Sequence, residues 1–212
     1  MFLTEKLDDT ITYQGITFHL DMSFDNILHL TEVLDAEDLD EFERVVIALE
    51  NLITNEEELK ELSFEEQHML LMAILRDKLG FISDLEENTS EQDLSDDSAP
   101  RKKEYDYAVD GERIYASFLM DYGIDLLDMQ GKLHWKKFLA LLGGLSERTP
   151  FMQVVKIRTQ EIPPPNKHNT KERNQIMELQ RKYALEQPDL QDGLAQAATF
   201  LRRHAKVGDK NG

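Results

Sequence analysis

Few side chains able to do chemistry stand at a working spacing in this chain. There is no cysteine, which removes disulfides, thiolate metal sites and thiol nucleophiles together. The six histidines, His19, His29, His68, His134, His168 and His204, are scattered, and none belongs to the His-Glu-x-x-His pattern by which a helix grips zinc. Glu65 and His68 have the Glu-x-x-His spacing of carboxylate-bridged two-metal bundles, but such a centre needs a second copy of the motif and the sequence has none. Asp121, Asp125 and Asp128 lack the alternate-residue spacing and closing glutamate of a calcium loop. Gly143-Gly144 is without phosphate-loop context, and Ser117 lies within a helical pattern with no nucleophile elbow. The aromatic set Tyr115, Phe118, Tyr122, Trp135, Phe138 and Phe151 recurs at helical spacing. It reads as core, with a ligand pocket as the alternative. The chain is therefore expected to bind without catalysing, and to need neither cofactor nor metal.

Charge narrows the partners. Residues 1–100 carry 27 Asp and Glu against 5 Lys and Arg, whereas residues 101–212 carry 15 against 19, within a net charge of -18. An acidic half repels phosphate backbones and anionic bilayers, so neither nucleic acid nor membrane is an expected partner. The basic residues of the second half alternate with acids and lack interleaved aromatics, the pattern of a solvated helix face. No apolar run reaches the length of a membrane span. The N-terminal MFLTEKLDD has no basic, then apolar, succession, so no secretory signal is expected and the protein should work in the cytoplasm.

The elements that would position any site are mainly helical. In TITYQGITFHL, Ile11, Tyr13, Ile16 and Phe18 alternate with polar residues about Gln14-Gly15. A two-residue turn there pairs Tyr13 with Ile16 and Ile11 with Phe18, giving a small β-hairpin with one apolar face that must pack on something else. Helical periods follow, carrying Ile27, Leu28, Leu30 and Leu34, then Phe42, Val45, Val46, Leu49 and Leu52. Ser63 and Glu66 form a capping box before a third helix with Met69, Leu70, Met72, Ala73 and Leu75, ending at Gly80. Residues 83–104 are acidic and serine-rich, too poor in apolar area to offset the entropy of ordering, and read as a flexible linker or long loop.

Residues 105–162 read as a helical core module: one helix with Ile114, Tyr115, Phe118, Leu119 and Tyr122 stopped by Gly123, one with Leu133, Trp135, Phe138, Leu139 and Leu142 stopped by Gly143-Gly144, and one opened by Thr149-Pro150 with Phe151, Val154 and Val155 facing inward. Pro163 to Pro165 then break the ladder. Residues 163–212 would hold two further helices, one with Ile176, Leu179 and Tyr183, the other with Leu190, Leu194, Ala198 and Leu201. Their apolar stripes are narrow. The proline run is expected to detach the first of them, leaving Ile176, Leu179 and Tyr183 as a partner-binding arm. With residues 1–82 as a hairpin plus acidic helices, the fold class is mainly α, helical modules with a small N-terminal β-hairpin and an acidic linker.

Within the core module, Phe-x-x-x-Tyr-Gly-Ile-Asp-Leu from Phe118 to Leu126, then His134-Trp135-Lys136-Lys137-Phe138, then Arg158-Thr159 follow one another in an order that resembles the bacteriophage gene product fifteen family. The resemblance covers Tyr107 to Arg158 well and the N-terminal hairpin and helices more loosely. The family's genes lie in the tail clusters of siphophages beside the tape-measure gene. The resemblance thus implies a non-enzymatic tail morphogenesis protein, a tail assembly chaperone of the infected host's cytoplasm. It would bind the tape-measure protein, aid tail-tube assembly and have the option of self-association, with persistence in the virion left open. It implies no catalytic residues. The alternative is an acidic regulatory or DNA-mimic protein that occupies a basic surface on a host or phage enzyme.

Overall fold

The computed structural model describes residues 4, 6–81 and 104–185. The acidic segment before residue 104 and the helix expected to carry Leu190, Leu194, Ala198 and Leu201 lie outside the described residues. Among the described residues there are seven α-helices, one 3-10 helix and a two-stranded antiparallel sheet. The fold is mainly α with a small N-terminal hairpin. The described residues divide into two compact units: the first takes residues 4, 6–81 and 131–136, the second 104–130 and 137–185.

In the first unit β1 (Thr10–Tyr13) and β2 (Ile16–His19) pair as Ile11 with Phe18 and Tyr13 with Ile16, the register read from the sequence. The turn needs positive φ at both central residues, and Gln14 and Gly15 supply it at 51° and 83°. Phe18 is fully buried beside half-buried Ile11, Tyr13 and Ile16, while Thr12 and Thr17 face outward with hydroxyls 3.2 Å apart.

Helices α1 (Phe24–Asp35), α2 (Glu41–Leu52) and α3 (Phe64–Asp77) complete the unit, with a 3-10 turn at Glu56–Glu61 between the last two. Capping boxes open α2 (Asp40 with Glu43) and α3 (Ser63 with Glu66), each satisfying orphan amides at a helix start. Asn26 Nδ2 donates to Asp21 O at 2.9 Å and to Asn51 O at 2.8 Å, fastening α1 to the end of α2. The hairpin turn is tethered to α3 by Gln14 Nε2 to Glu66 Oε1 at 2.9 Å, and Lys78 Nζ, just past α3, meets Asp8 Oδ2, just ahead of β1, at 3.2 Å. The core is Phe18, Phe24, Ile27, Leu30, Val45, Leu49, Leu52, Leu70, Leu71 and Ile74. The expected core faces include residues that are instead exposed, Phe42 of α2 and Met69 of α3 in this unit and Leu119 and Leu139 in the second.

Gly131–Lys136 closes the same unit as a short antiparallel insertion. Trp135 N–H donates to Met22 O at 2.7 Å, and Phe24 N–H to Leu133 O at 2.9 Å. His134 Nε2 meets Asp9 Oδ1 at 2.9 Å, and Nδ1 accepts from Lys136 N–H at 3.0 Å, which fixes the tautomer with its proton on Nε2. Trp135 is buried. This stretch lies inside the 105–162 module read from the sequence, so that span contributes to both units.

The second unit contains α4 (Tyr107–Tyr122), the body of α5 (Trp135–Gly143), α6 (Pro150–Thr159) and α7 (Thr170–Lys182). Gly123 ends α4 in the left-handed region at φ 64°, and Thr149 Oγ1 caps α6 with Pro150 in its first turn, as expected from the sequence. Phe118 and Phe138 stack at 5.3 Å at its centre. Among the described residues no helix is long and apolar enough to cross a membrane.

Candidate interaction site

The side chains singled out for chemistry hold the fold together. Ser117, fully buried, donates to Arg113 O at 2.6 Å and accepts from Phe151 N–H at 3.1 Å, so its hydroxyl satisfies the first turn of α6. Asp121 accepts Ser146 N–H at 2.7 Å and Ser146 Oγ at 3.1 Å. Asp125 accepts from Leu127 N–H at 2.9 Å and from the Tyr115 hydroxyl at 3.1 Å, a bond that raises the Tyr115 pKa. Burial likewise raises the Tyr107 phenol above its ordinary value. The described residues contain no group of three His, Asp or Glu able to hold a metal. His68 stacks on Phe64 at 6.5 Å in α3.

Gly143-Gly144 does end α5, and a second reason for the glycines appears in three dimensions. A Cβ on Gly144 would lie 2.9 Å from Tyr122 Oη and 3.3 Å from Ala140 O. The Tyr122 hydroxyl is already placed, donating to Leu141 O at 2.9 Å.

The structure divides the three residues of the expected arm. Ile176 is 8% exposed and packed into the second unit, Leu179 is 42% exposed, and Tyr183 is half-buried. The prolines do not lead α7 away, because α7 is packed on α6. Arg173 donates to Pro163 O, Asn169 Nδ2 to Pro164 O at 2.9 Å, and Arg158 Nε to Tyr183 O at 2.7 Å. Arg158 also grips the buried Asp110 carboxylate. A guanidinium can hold a carboxylate and two carbonyls at once because its five N–H donors lie in one rigid plane. Of the stripe, Leu179 remains available at the surface, with Met177 exposed on the same helix.

A different surface was not legible in the sequence. On the first unit, Phe42, Val46 and Leu49 from α2, Leu59 from the 3-10 turn and Phe64 from α3 line a concavity of ≈ 250 Å³ whose edge includes Glu50, Glu56, Lys60 and Gln67. Leu49 and Leu59 form the buried floor, while Phe42 stands at the lip 56% exposed, its ring 5.0 Å from that of Phe64. Gln67 Nε2 is engaged by Leu59 O at 3.0 Å, which fixes that wall. Lys60 Nζ is engaged by Glu57 at 2.8 Å. The edge is net acidic around an apolar floor, an arrangement suited to receiving a side chain of another protein.

A family model described as Bacteriophage Gp15 protein matches residues 3–185. The chain belongs to this family. The matched span includes both the groove at Phe42 and the α7 stripe, as well as the Arg158–Asp110 pair. No curated protein matched the chain. No solved structure matched it. Membership of the Gp15 family makes it a phage protein, and within that family the Arg158-Thr159 block now has a physical role, since Arg158 binds α4 and α7 to α6.

Proposed function

We propose that this phage protein acts without catalysis in tail morphogenesis, as a tail assembly chaperone that binds the tape-measure protein and aids assembly of the tail tube in the host cytoplasm. The observation that carries this reading is an apolar groove opening on a unit of strongly acidic sequence, in a member of a family whose resemblance implies a tail-cluster gene. Residues 6–81 hold 19 Asp and Glu against 5 Lys and Arg. An acidic coat keeps a complex dispersed while apolar positions cover a client's exposed stripe. On the second unit, Leu179 offers a further contact to a client helix or a second copy, with Ile176 holding α7 in place.

Co-expression tests the proposal directly. The tape-measure protein of the same phage is produced with and without this chain, and its soluble fraction and co-purification are measured. The expected result is a soluble complex that forms only when both are present. A tape-measure protein that stays insoluble, or is equally soluble alone and never co-purifies, overturns the proposal. Specific capture of a nucleic-acid enzyme in its place favours the acidic mimic.

A further inference from the structure

We infer that the groove at Phe42 receives one large apolar side chain from a helix flanked by lysine or arginine, and that this groove is the client contact of the proposed chaperone, a reading on which the second half of the inference rests. Size comes first. At ≈ 250 Å³ the concavity falls below the range typical of small-molecule sites and suits one large anchor side chain. Its exposed lip residue is an aromatic, the side-chain class that dominates binding energy when a partner covers it.

The walls decide the occupant's backbone. They are built from α2, the 3-10 turn and α3, helical segments that bond along their own backbone, with capping boxes at Asp40 and Ser63 opening the two α-helices. Among the described residues no strand lines the groove, so an extended peptide would find no ladder to join there. A helix satisfies its own backbone and needs from the groove only a place for its side chains.

The edge decides the occupant's charge. Glu50 and Glu56 border the groove, and the cation between them and α3, Lys60, is held by Glu57 at 2.8 Å. Exposed Glu43, Glu57 and Glu61 extend the same sign along α2 and the 3-10 turn. A helix with acids beside its apolar anchor meets like charge on docking, whereas one with Lys or Arg there meets opposite charge, which sets selectivity and association rate.

The test uses the full chain and two dye-labelled helical peptides with the same apolar stripe, one flanked by Lys and Arg, the other by Glu, with binding read by fluorescence anisotropy at two salt concentrations. The cationic peptide should bind about tenfold or more tightly than the anionic one, and less so as salt rises. Phe42→Ser, a change at an exposed position, should keep the melting temperature and weaken the cationic peptide by about tenfold. Glu50→Lys with Glu56→Lys should narrow the preference between the peptides. Equal binding of both peptides, or cationic binding unchanged by Phe42→Ser, overturns the groove assignment. Co-purification of tape-measure protein, measured on the same variants, separates the two proposals. If wild type and Phe42→Ser retain it equally, the groove is not the client contact and the chaperone reading stands. If wild type never retains it while the cationic peptide still depends on Phe42, the chaperone reading falls and the groove's specificity stands.

Discussion

Arg158 closes on Asp110 through two hydrogen bonds, Nη1 to Oδ2 at 2.5 Å and Nη2 to Oδ1 at 3.0 Å, with side chains only 4% and 0% exposed. The same guanidinium donates to Tyr183 O and Glu104 O, so one side chain on α6 fixes the start of α4 and the end of α7. Desolvation makes a buried pair a weak source of net stability, but leaving one partner behind is costly. Arg158→Met should therefore destabilise the second unit by about 3 kcal/mol, the lower end of the usual range for a broken buried pair, because Arg113 still reaches Asp110 Oδ1 at 2.9 Å. Arg158→Lys should not restore it, since an ammonium cannot reproduce the planar fork. Chemical denaturation measures both variants. A melt matching wild type for either would show that the pair does not brace the unit.

Trp135 distinguishes the two units. It is buried in the first unit although it begins a helix whose body belongs to the second. Trp135→Ala should cost about 3–5 kcal/mol, the usual price of deleting a large buried aromatic, and the loss should appear in the first unit. Hydrogen exchange checks this through Phe24, whose amide donates to Leu133 O beside the tryptophan. Faster exchange confined to α4, with Phe24 still protected, would contradict the assignment.

Local signals made much of this fold readable, and long-range ones did not. Gln14-Gly15 with its flanking alternation specifies the hairpin register, because a two-residue turn leaves one pairing that puts Ile11, Tyr13, Ile16 and Phe18 on one face. Ser63 with Glu66, Gly123 and Thr149-Pro150 mark helix ends through bonds that span only a few residues. The helical period places Phe42 inside, yet period gives the direction of a face and not its width, which is set by how far the neighbouring 3-10 turn and α3 reach. The proline run predicts a detached helix at Ile176. That run instead returns along its own unit, accepting from Arg173 and Asn169 through the carbonyls of Pro163 and Pro164. Nothing local ties Arg158 to Asp110 across 48 residues, or Trp135 to Met22, so the pair and the inserted segment had no signature in composition or spacing.

Gly144→Ala tests the close approach at the end of α5. The new methyl would press on the Tyr122 hydroxyl and strain its bond to Leu141 O. A destabilisation of about 1–3 kcal/mol is expected from such overpacking. Tyr122→Phe removes the oxygen in the way, so the double variant should lose less than the sum of the two single changes. Strict additivity in a double-mutant cycle would place the clash elsewhere.

Glu66 gives the first unit an acid-sensitive joint. Bonds from Ser63 N–H, from Gln14 and from the Ser63 hydroxyl, in that order, favour the carboxylate and lower its pKa below the ordinary 4.5. A depressed folded-state pKa contributes stability that is present above the unfolded value and lost as pH falls through the folded one. The stability difference between wild type and Glu66→Gln should thus be largest near neutral pH and shrink as pH drops below 4.5. Urea midpoints measured along that pH range provide the check. A difference that stays constant throughout would remove Glu66 ionisation from the account.

The last prediction separates packing from contact on α7. Ile176 and Leu179 belong to one stripe by sequence, but Ile176 is 8% exposed and Leu179 42%. A charge at 176 must be desolvated against α6, whereas a charge at 179 keeps much of its water. Ile176→Asp should therefore lower stability by about 2–4 kcal/mol, as expected for loss of a buried aliphatic side chain together with burial of a polar one. Leu179→Asp should leave the melting curve within about 0.5 kcal/mol of wild type, as surface changes usually do, while weakening self-association or tape-measure co-purification. If Leu179→Asp melts normally and both associations are unchanged, α7 is structural and client binding must be sought on the first unit. If it unfolds the protein as Ile176→Asp does, the exposed side of α7 has been assigned to the wrong residues.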